Sequence, residues 1–165
     1  MSSRIITISR EFGSGGRNIG KETAGKLGIP CYDAELIEKM AEESGFSKEY
    51  IASREEYALG KGLFAHVFAD RDYYGHSYQD ELWKIQNQVI LELAKKSSCV
   101  IVGRCADYIL RGKADCLRVF IYADMESRAK RIVKQYGETD VSPEKRLKDK
   151  DKCRAAYYQF YTDMK

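Results

Sequence analysis

The chain has 165 residues, of which 44% are hydrophobic and 32% charged, enough for one domain with a single core and unlike a disordered or membrane-spanning chain. Its 28 basic residues exceed its 25 acidic ones by a net charge of only +3, too little to argue for a nucleic-acid surface. The five cysteines are an odd number with no C-x-x-C pair, so neither a disulfide framework nor a zinc site is indicated, and the N-terminus lacks a leader-like apolar stretch, so the expectation is cytoplasmic.

Arg4 to Ser9 is a short Ile- and Thr-rich run ending in glycines, and it reads as a buried strand feeding a loop. Gly13-Ser14-Gly15-Gly16 is that loop, and Asn18 to Leu27 follows as a helix stopped at Gly28. Ile29 to Tyr32 is extended. Asp33 then caps a helix with Leu36, Ile37, Met40 and Ala41 on its apolar face, closed by Gly45, and Ser47 starts a further short helix. The stretch from Ser53 to Tyr78, with His66 and His76, has no clear period. Gln79 to Lys96 is strongly amphipathic through Leu82, Ile85, Val89, Ile90 and Leu93, and it leads into the buried strand Cys99 to Val102. A short helix through Ala106, Ile109 and Leu110 precedes Gly112. Leu117 to Ala123 is a third strand, Met125 to Tyr136 a helix with Ala129, Ile132 and Val133 inward, and Ser142-Pro143 starts another. Strands alternating with helices predict an α/β fold with a parallel sheet covered on both faces.

A strand that opens through glycines into a helix gathers backbone N–H groups and the positive end of the helix dipole at one point, which suits a polyphosphate. Two registers are open. Gly15 to Lys21 fits the Walker spacing, but Glu22 replaces its hydroxyl residue and the helix shrinks to about two turns. The other register makes Gly13 to Gly16 the cradle and starts the helix near Arg17, with Ile19, Thr23 and Leu27 facing the sheet. We prefer the second, in which Arg17 takes the place of the loop lysine and offers a planar fork to phosphate oxygens. The phosphate-binding set is then Gly13, Ser14, Gly15, Gly16, Arg17 and Asn18. Ser14, or Ser9, is left to touch a magnesium ion.

The segments Ile8 to Arg17, Tyr32-Asp33-x-Glu35-Leu36-Ile37, Val100 to Leu110 and Asp151-Lys152-x-Arg154-Ala155-Ala156-Tyr157-Tyr158 together resemble the cytidylate kinase-like family of P-loop proteins. The resemblance spans nearly the whole chain and implies a three-layer P-loop NTPase fold in one domain. It places a monophosphate-binding region at about 33–96 and a helical lid at about 137–158. It also implies ATP and Mg2+ as cofactors and CMP or a similar small nucleotide as acceptor, with no nucleic-acid or membrane partner; oligomeric state stays open. By position, Asp33, Arg104, Asp151 and Arg154 would meet the acceptor, and Arg17, Arg104, Arg128 and Arg131 would stabilise the transferring phosphoryl group.

The chain departs from the family pattern in three places. Cys105 stands where the Gly-Arg-Asp motif has its aspartate, leaving Asp107, Asp33 or Glu11 to supply an acidic group. No acidic residue ends the strand Val100 to Val102. The family continues into another strand and helix where this sequence ends at Lys165. A nucleotide-binding regulatory protein that has lost turnover is therefore the rival reading, and a nucleic-acid-binding module using the basic lid is a weaker one. The lid tyrosines, Tyr157, Tyr158 and Tyr161, with Phe160, read as packing residues.

Overall fold

Alternation along Ile5, Ile6, Thr7 and Ile8 puts an apolar or weakly polar side chain on each face in turn, so this segment is stable only with both faces covered. The computed structural model, which describes residues 4–37 and 78–163, makes it the central strand β1 (Arg4–Arg10). β1 pairs in parallel with β3 (Cys99–Val102) on one side, Ile5 opposite Cys99 and Ile8 opposite Val102. On the other side it pairs in parallel with β4 (Asp115–Ile121). The short β2 (Cys31–Tyr32) joins the far side of β3, giving the strand order β2-β3-β1-β4.

Each face of the sheet has its own core. Ile5, Cys99 and Ile101 pack with Val89, Ile90 and Leu93 of α2 (Tyr78–Lys96) and with Ala106 and Ile109 of α3 (Ala106–Ile109). On the opposite face Ile8, Val100 and Val102 pack with Ala24 of α1 (Gly16–Leu27). Helix, sheet and helix form the three layers that the alternation of elements predicts. A further cluster joins α4 (Met125–Tyr136) to α5 (Pro143–Thr162) through Ala129, Ile132 and Leu147, with Phe12 against it. Asp124 and Ser142 cap these helices by accepting from the N–H of Ser127 (2.7 Å) and of Lys145 (3.3 Å). Among the described residues no helix is long and apolar enough to cross a membrane.

The inward face of α1 differs from expectation. Ile19 and Leu27 are 41% and 56% exposed, while Gly16, Gly20 and Ala24 meet the sheet. The physical reason is close approach. A Cβ on Gly20 would lie 2.9 Å from Val102 Cγ2 and 3.3 Å from Ile8 Cδ1, so large side chains cannot occupy this seam and the apolar ones are turned outward. Gly20→Val should therefore cost about 1–3 kcal/mol by overpacking, despite improved helix propensity. Urea unfolding checks this, and an unchanged midpoint would show that α1 has room for a larger side chain against the sheet.

The third strand is also shifted. It spans Asp115 to Ile121 rather than Leu117 to Ala123 because its ladder with β1 runs from Arg4 opposite Asp115 to Arg10 opposite Ile121 and stops where β1 stops. Leu117 and Phe120 are 61% and 60% exposed on this edge strand. Trp83 of α2 stacks on Tyr161 of α5 with ring centroids 4.4 Å apart, and Tyr157 meets the same ring edge-on, so these lid tyrosines do pack. The helix at Asp33 begins with residues 34–37. Its expected continuation through Met40, Ala41 and Gly45, the helix at Ser47 and the stretch with His66 and His76 lie outside the described residues.

Candidate functional site

The glycine loop is built by backbone geometry that only glycine adopts freely. Gly13 and Gly15 have φ of 75° and 89°, and between them the carbonyl of Glu11 accepts from Ser14 N (3.4 Å) and from Ser14 Oγ (2.9 Å). Gly15 is the N-cap of α1, and no side chain caps that end. Ile19 N–H is the first to bond within the helix, to Gly15 O at 3.0 Å. The N–H groups of Gly16, Arg17 and Asn18 thus have no intrahelical acceptor, and they add to the positive end of the dipole. The helix starts at Gly16, which fits the cradle register and not the Walker one, where Gly20 would be the first helical residue. A cleft of about 200 Å³ opens in front, bordered by the loop and by Arg10, Arg17, Asp33, Arg131 and Arg154.

The arginines singled out in the sequence separate into distinct environments. Arg17 Nε donates to Asp33 Oδ2 (2.8 Å), and its Nη1 and Nη2 grip Glu35 at 3.0 and 2.6 Å. Asp33 also takes Lys21 at 3.6 Å and caps the next helix through Leu36 N at 3.1 Å. These partners hold the Asp33 carboxyl below the usual range against a burial effect that pushes it up. Arg131 Nη1 donates to the carbonyl of Gly13 and lines the cleft. Arg128, only 5% exposed, lies away from the cleft lining. Its Nη1 donates to Asp151 Oδ2 (2.5 Å) and to Phe12 O (3.2 Å), and its Nε stands 3.4 Å from Glu11 Oε2. Asp151 in turn accepts from Phe12 N at 2.6 Å. Arg128 and Asp151 therefore tie α4 and α5 to the loop. Arg154 Nη1 donates to Arg10 O at 3.2 Å, and its guanidinium lies over the Phe12 ring.

Arg104 follows β3 and lies over the Tyr157 ring, 5.9 Å from its centroid, outside the cleft lining. Arg104 and Cys105 both have left-handed φ, 54° and 53°, next to Gly103 at 81°. Left-handed non-glycine residues each cost on the order of 1 kcal/mol, strain that clusters at functional sites. Cys105 is 4% exposed, and burial followed by the Asp107 charge pushes its thiol up to about 12. It is a neutral group at any physiological pH. Asp107, nearby in sequence, accepts from Tyr158 OH at 2.7 Å and from Ser9 Oγ at 3.5 Å.

Burial likewise pushes the Cys99 thiol up to about 11. Both folded-state values are raised above that of a free thiol, about 8.5. The stability these thiols contribute is therefore fully present below about pH 8.5 and is lost as pH climbs toward 11–12. A thiol reagent at pH 8 should label Cys116 and Cys153, both partly exposed, well before Cys99 and Cys105 in native protein. Mass spectrometry of the labelled peptides reads this order. Fast labelling of Cys105 would show that its surroundings open.

Arg10 and Glu35 lie within the motif segments but are not among the residues that the sequence assigns to the site. Arg10 ends β1 at the carboxyl edge of the sheet, where ligands of parallel α/β folds bind. That position was the available signal. The side chain's surroundings come from Gly16, Gly103 and Arg154, which local sequence does not connect.

Residues 5–165 match the model of the cytidylate kinase-like family. The chain is 30% identical over 161 residues to the cytidylate kinase of Archaeoglobus fulgidus, covering 95% of this chain and 76% of that protein. Among solved structures it is similar to an uncharacterized protein from Eubacterium ventriosum, with a TM-score of 0.71 and 27% identity over 98% of this chain and 80% of the other. It is similar to a shikimate kinase from Bacteroides thetaiotaomicron at a TM-score of 0.51 and 18% identity, over 96% and 83% of the two chains. That second likeness is one of fold alone.

Proposed function

The chain belongs to the cytidylate kinase-like family, and on that footing we propose that it moves the γ-phosphoryl group of ATP to CMP or a similar nucleoside monophosphate. The observation that carries this reading is the uncapped mouth of α1 behind a glycine turn, opening into a cleft bordered by Arg10, Arg17, Arg131 and Arg154. Phosphoryl transfer asks for in-line placement and for cations around spreading negative charge, with little covalent chemistry from the protein. In this reading the loop from Gly13 to Asn18 holds the donor phosphates, chiefly through the backbone N–H groups of Gly16, Arg17 and Asn18, which have no acceptor within the helix. Arg131 and Arg154 reach the cleft from α4 and from the lid helix α5, so a phosphate bound there would be held from both helices. Asp33 faces the same cleft and would orient the acceptor. The unit is a single domain, with its lid at about 137–158.

Magnesium fits the residues present. The Ser14 hydroxyl gives its hydrogen to Glu11 O, which leaves its oxygen as an acceptor, and Glu11, whose Oε2 stands 3.4 Å from Arg128 Nε and accepts from Ala123 N, borders the cleft. One or two protein oxygens suffice for an ion that keeps most of its water and binds phosphate. There Ser14 and Glu11 would hold an ion that would supply positive charge to the phosphate oxygens.

A second reading rests on Cys105. Its buried neutral thiol stands where the related motif carries an aspartate, which favours a nucleotide-binding regulatory protein without turnover. Incubation of pure protein with ATP, magnesium and a panel of nucleoside monophosphates, followed by ADP, separates the two. The expected result is turnover with one pyrimidine acceptor. Tight ATP binding with no turnover on any acceptor would instead establish the regulatory reading.

A further inference from the structure

Arg10 and Arg17 both line the cleft, yet their surroundings are opposite. The three nitrogens of the Arg17 guanidinium are engaged by Asp33 and Glu35 at 2.6–3.0 Å. To take a phosphate, Arg17 must first leave a bidentate carboxylate, an exchange that yields little net gain. Arg10 stands in the other condition. Among the described residues no carboxylate lies within ion-pairing distance of it, and Asp33, whose charge reaches it, is already bound by Arg17 and Lys21. Its charged neighbours are instead Arg154, Arg104 and Arg17.

Room for the Arg10 side chain is made by two glycines from separate segments. A Cβ on Gly16 would lie 2.8 Å from Arg10 Cβ, and a Cβ on Gly103 would lie 2.2 Å from Arg10 Nη1. The guanidinium is thus lodged between the mouth of α1 and the end of β3. Burial, then the charges of Arg154 and Arg104, lower its pKa to about 10. A half-buried cation among other cations lacks what a polyanion supplies.

Building on the phosphotransferase reading, we infer that Arg10, assisted by Arg154, is the principal phosphate-binding cation of this cleft. Arg17 is a positioning residue that latches the start of α1 to the segment after β2. The missing loop lysine is thereby replaced from the end of β1, not from the first turn of α1. The ligand class is the polyphosphate of a nucleoside triphosphate.

The test is direct binding of inorganic tripolyphosphate, by calorimetry, to the full chain and to Arg10→Gln, Arg10→Lys and Arg17→Gln. Arg10→Gln should weaken binding by about tenfold or more, Arg10→Lys by less, and Arg17→Gln by no more than about threefold. The reverse ranking of Arg10→Gln and Arg17→Gln overturns the inference. A wild-type chain that does not bind tripolyphosphate overturns both the inference and the functional reading. Wild-type binding with Arg10→Gln unaffected overturns the inference alone. Should Arg10→Gln fail to fold, phenylglyoxal footprinting of the wild-type chain decides. Tripolyphosphate should protect Arg10 more than Arg17, and protection of Arg17 alone refutes the assignment.

Discussion

Asp151→Ala is expected to destabilise the folded chain by about 2–3 kcal/mol, lowering its melting temperature by roughly 5–10 °C at this size. The change removes an acceptor from Phe12 N and a partner at 2.5 Å from Arg128. Arg128 would then be buried with only the Glu11 carboxylate at 3.4 Å and the Phe12 and Met125 contacts near it. Stranding a buried charge costs more than the pair itself contributes, and the figure is set below that of a fully buried pair because Asp151 remains 26% exposed. Replacing both partners, Arg128→Met with Asp151→Ala, should recover a large part of the loss, since no charge is then left uncompensated. Thermal and urea unfolding of the single and double variants read this directly. If Asp151→Ala melts like the parent and only the KM for an acceptor rises, Asp151 is a substrate contact and not the tie between α5 and the loop.

Such a knot was only half legible in the sequence. Arg128 and Arg131 sit at i and i+3 on one helix and look alike as letters, but tertiary contacts separate them: Arg128 lies buried beneath Phe12, and Arg131 reaches the Gly13 carbonyl at the cleft. The central strand, the glycine turn and the start of α1 were readable because each depends on local rules, buried alternation and positive φ at Gly13 and Gly15. The seam of α1 is not legible locally, because apolar periodicity favours Ile19 and Leu27, whereas the packing distance to Val102 demands glycine and alanine. The edge strand β4 was shifted because its ends are set by the length of β1, a non-local quantity. Arg10 passed unassigned for the same reason. Its isolation from carboxylates is created by Asp33 being occupied by Arg17, and nothing in the run Ile8-Ser9-Arg10 indicates that.

Gly103→Ala should depress turnover by about 100-fold, the scale of loss when a phosphate-positioning group moves by an ångström or so, while costing only about 1–2 kcal/mol in stability. The stability term comes from backbone strain. Gly103 has φ of +81°, a conformation that alanine adopts at a penalty. The functional term comes from the new methyl, which would meet Arg10 Nη1 at 2.2 Å and Arg10 Cζ at 2.9 Å. Those atoms are the tip of a long side chain, so the guanidinium swings away and the fold survives. Gly13→Ala makes the contrast. Its methyl would meet the Arg128 carbonyl and Leu147 Cδ2 at 3.1 Å and Ile132 Cγ2 at 2.9 Å, a backbone and packed side chains that cannot yield, so its main effect should be on stability. Melting curves and steady-state rates for the two variants separate the cases. If Gly103→Ala keeps full turnover, the guanidinium of Arg10 can be displaced without consequence, and the cleft must draw its phosphate-binding charge from elsewhere.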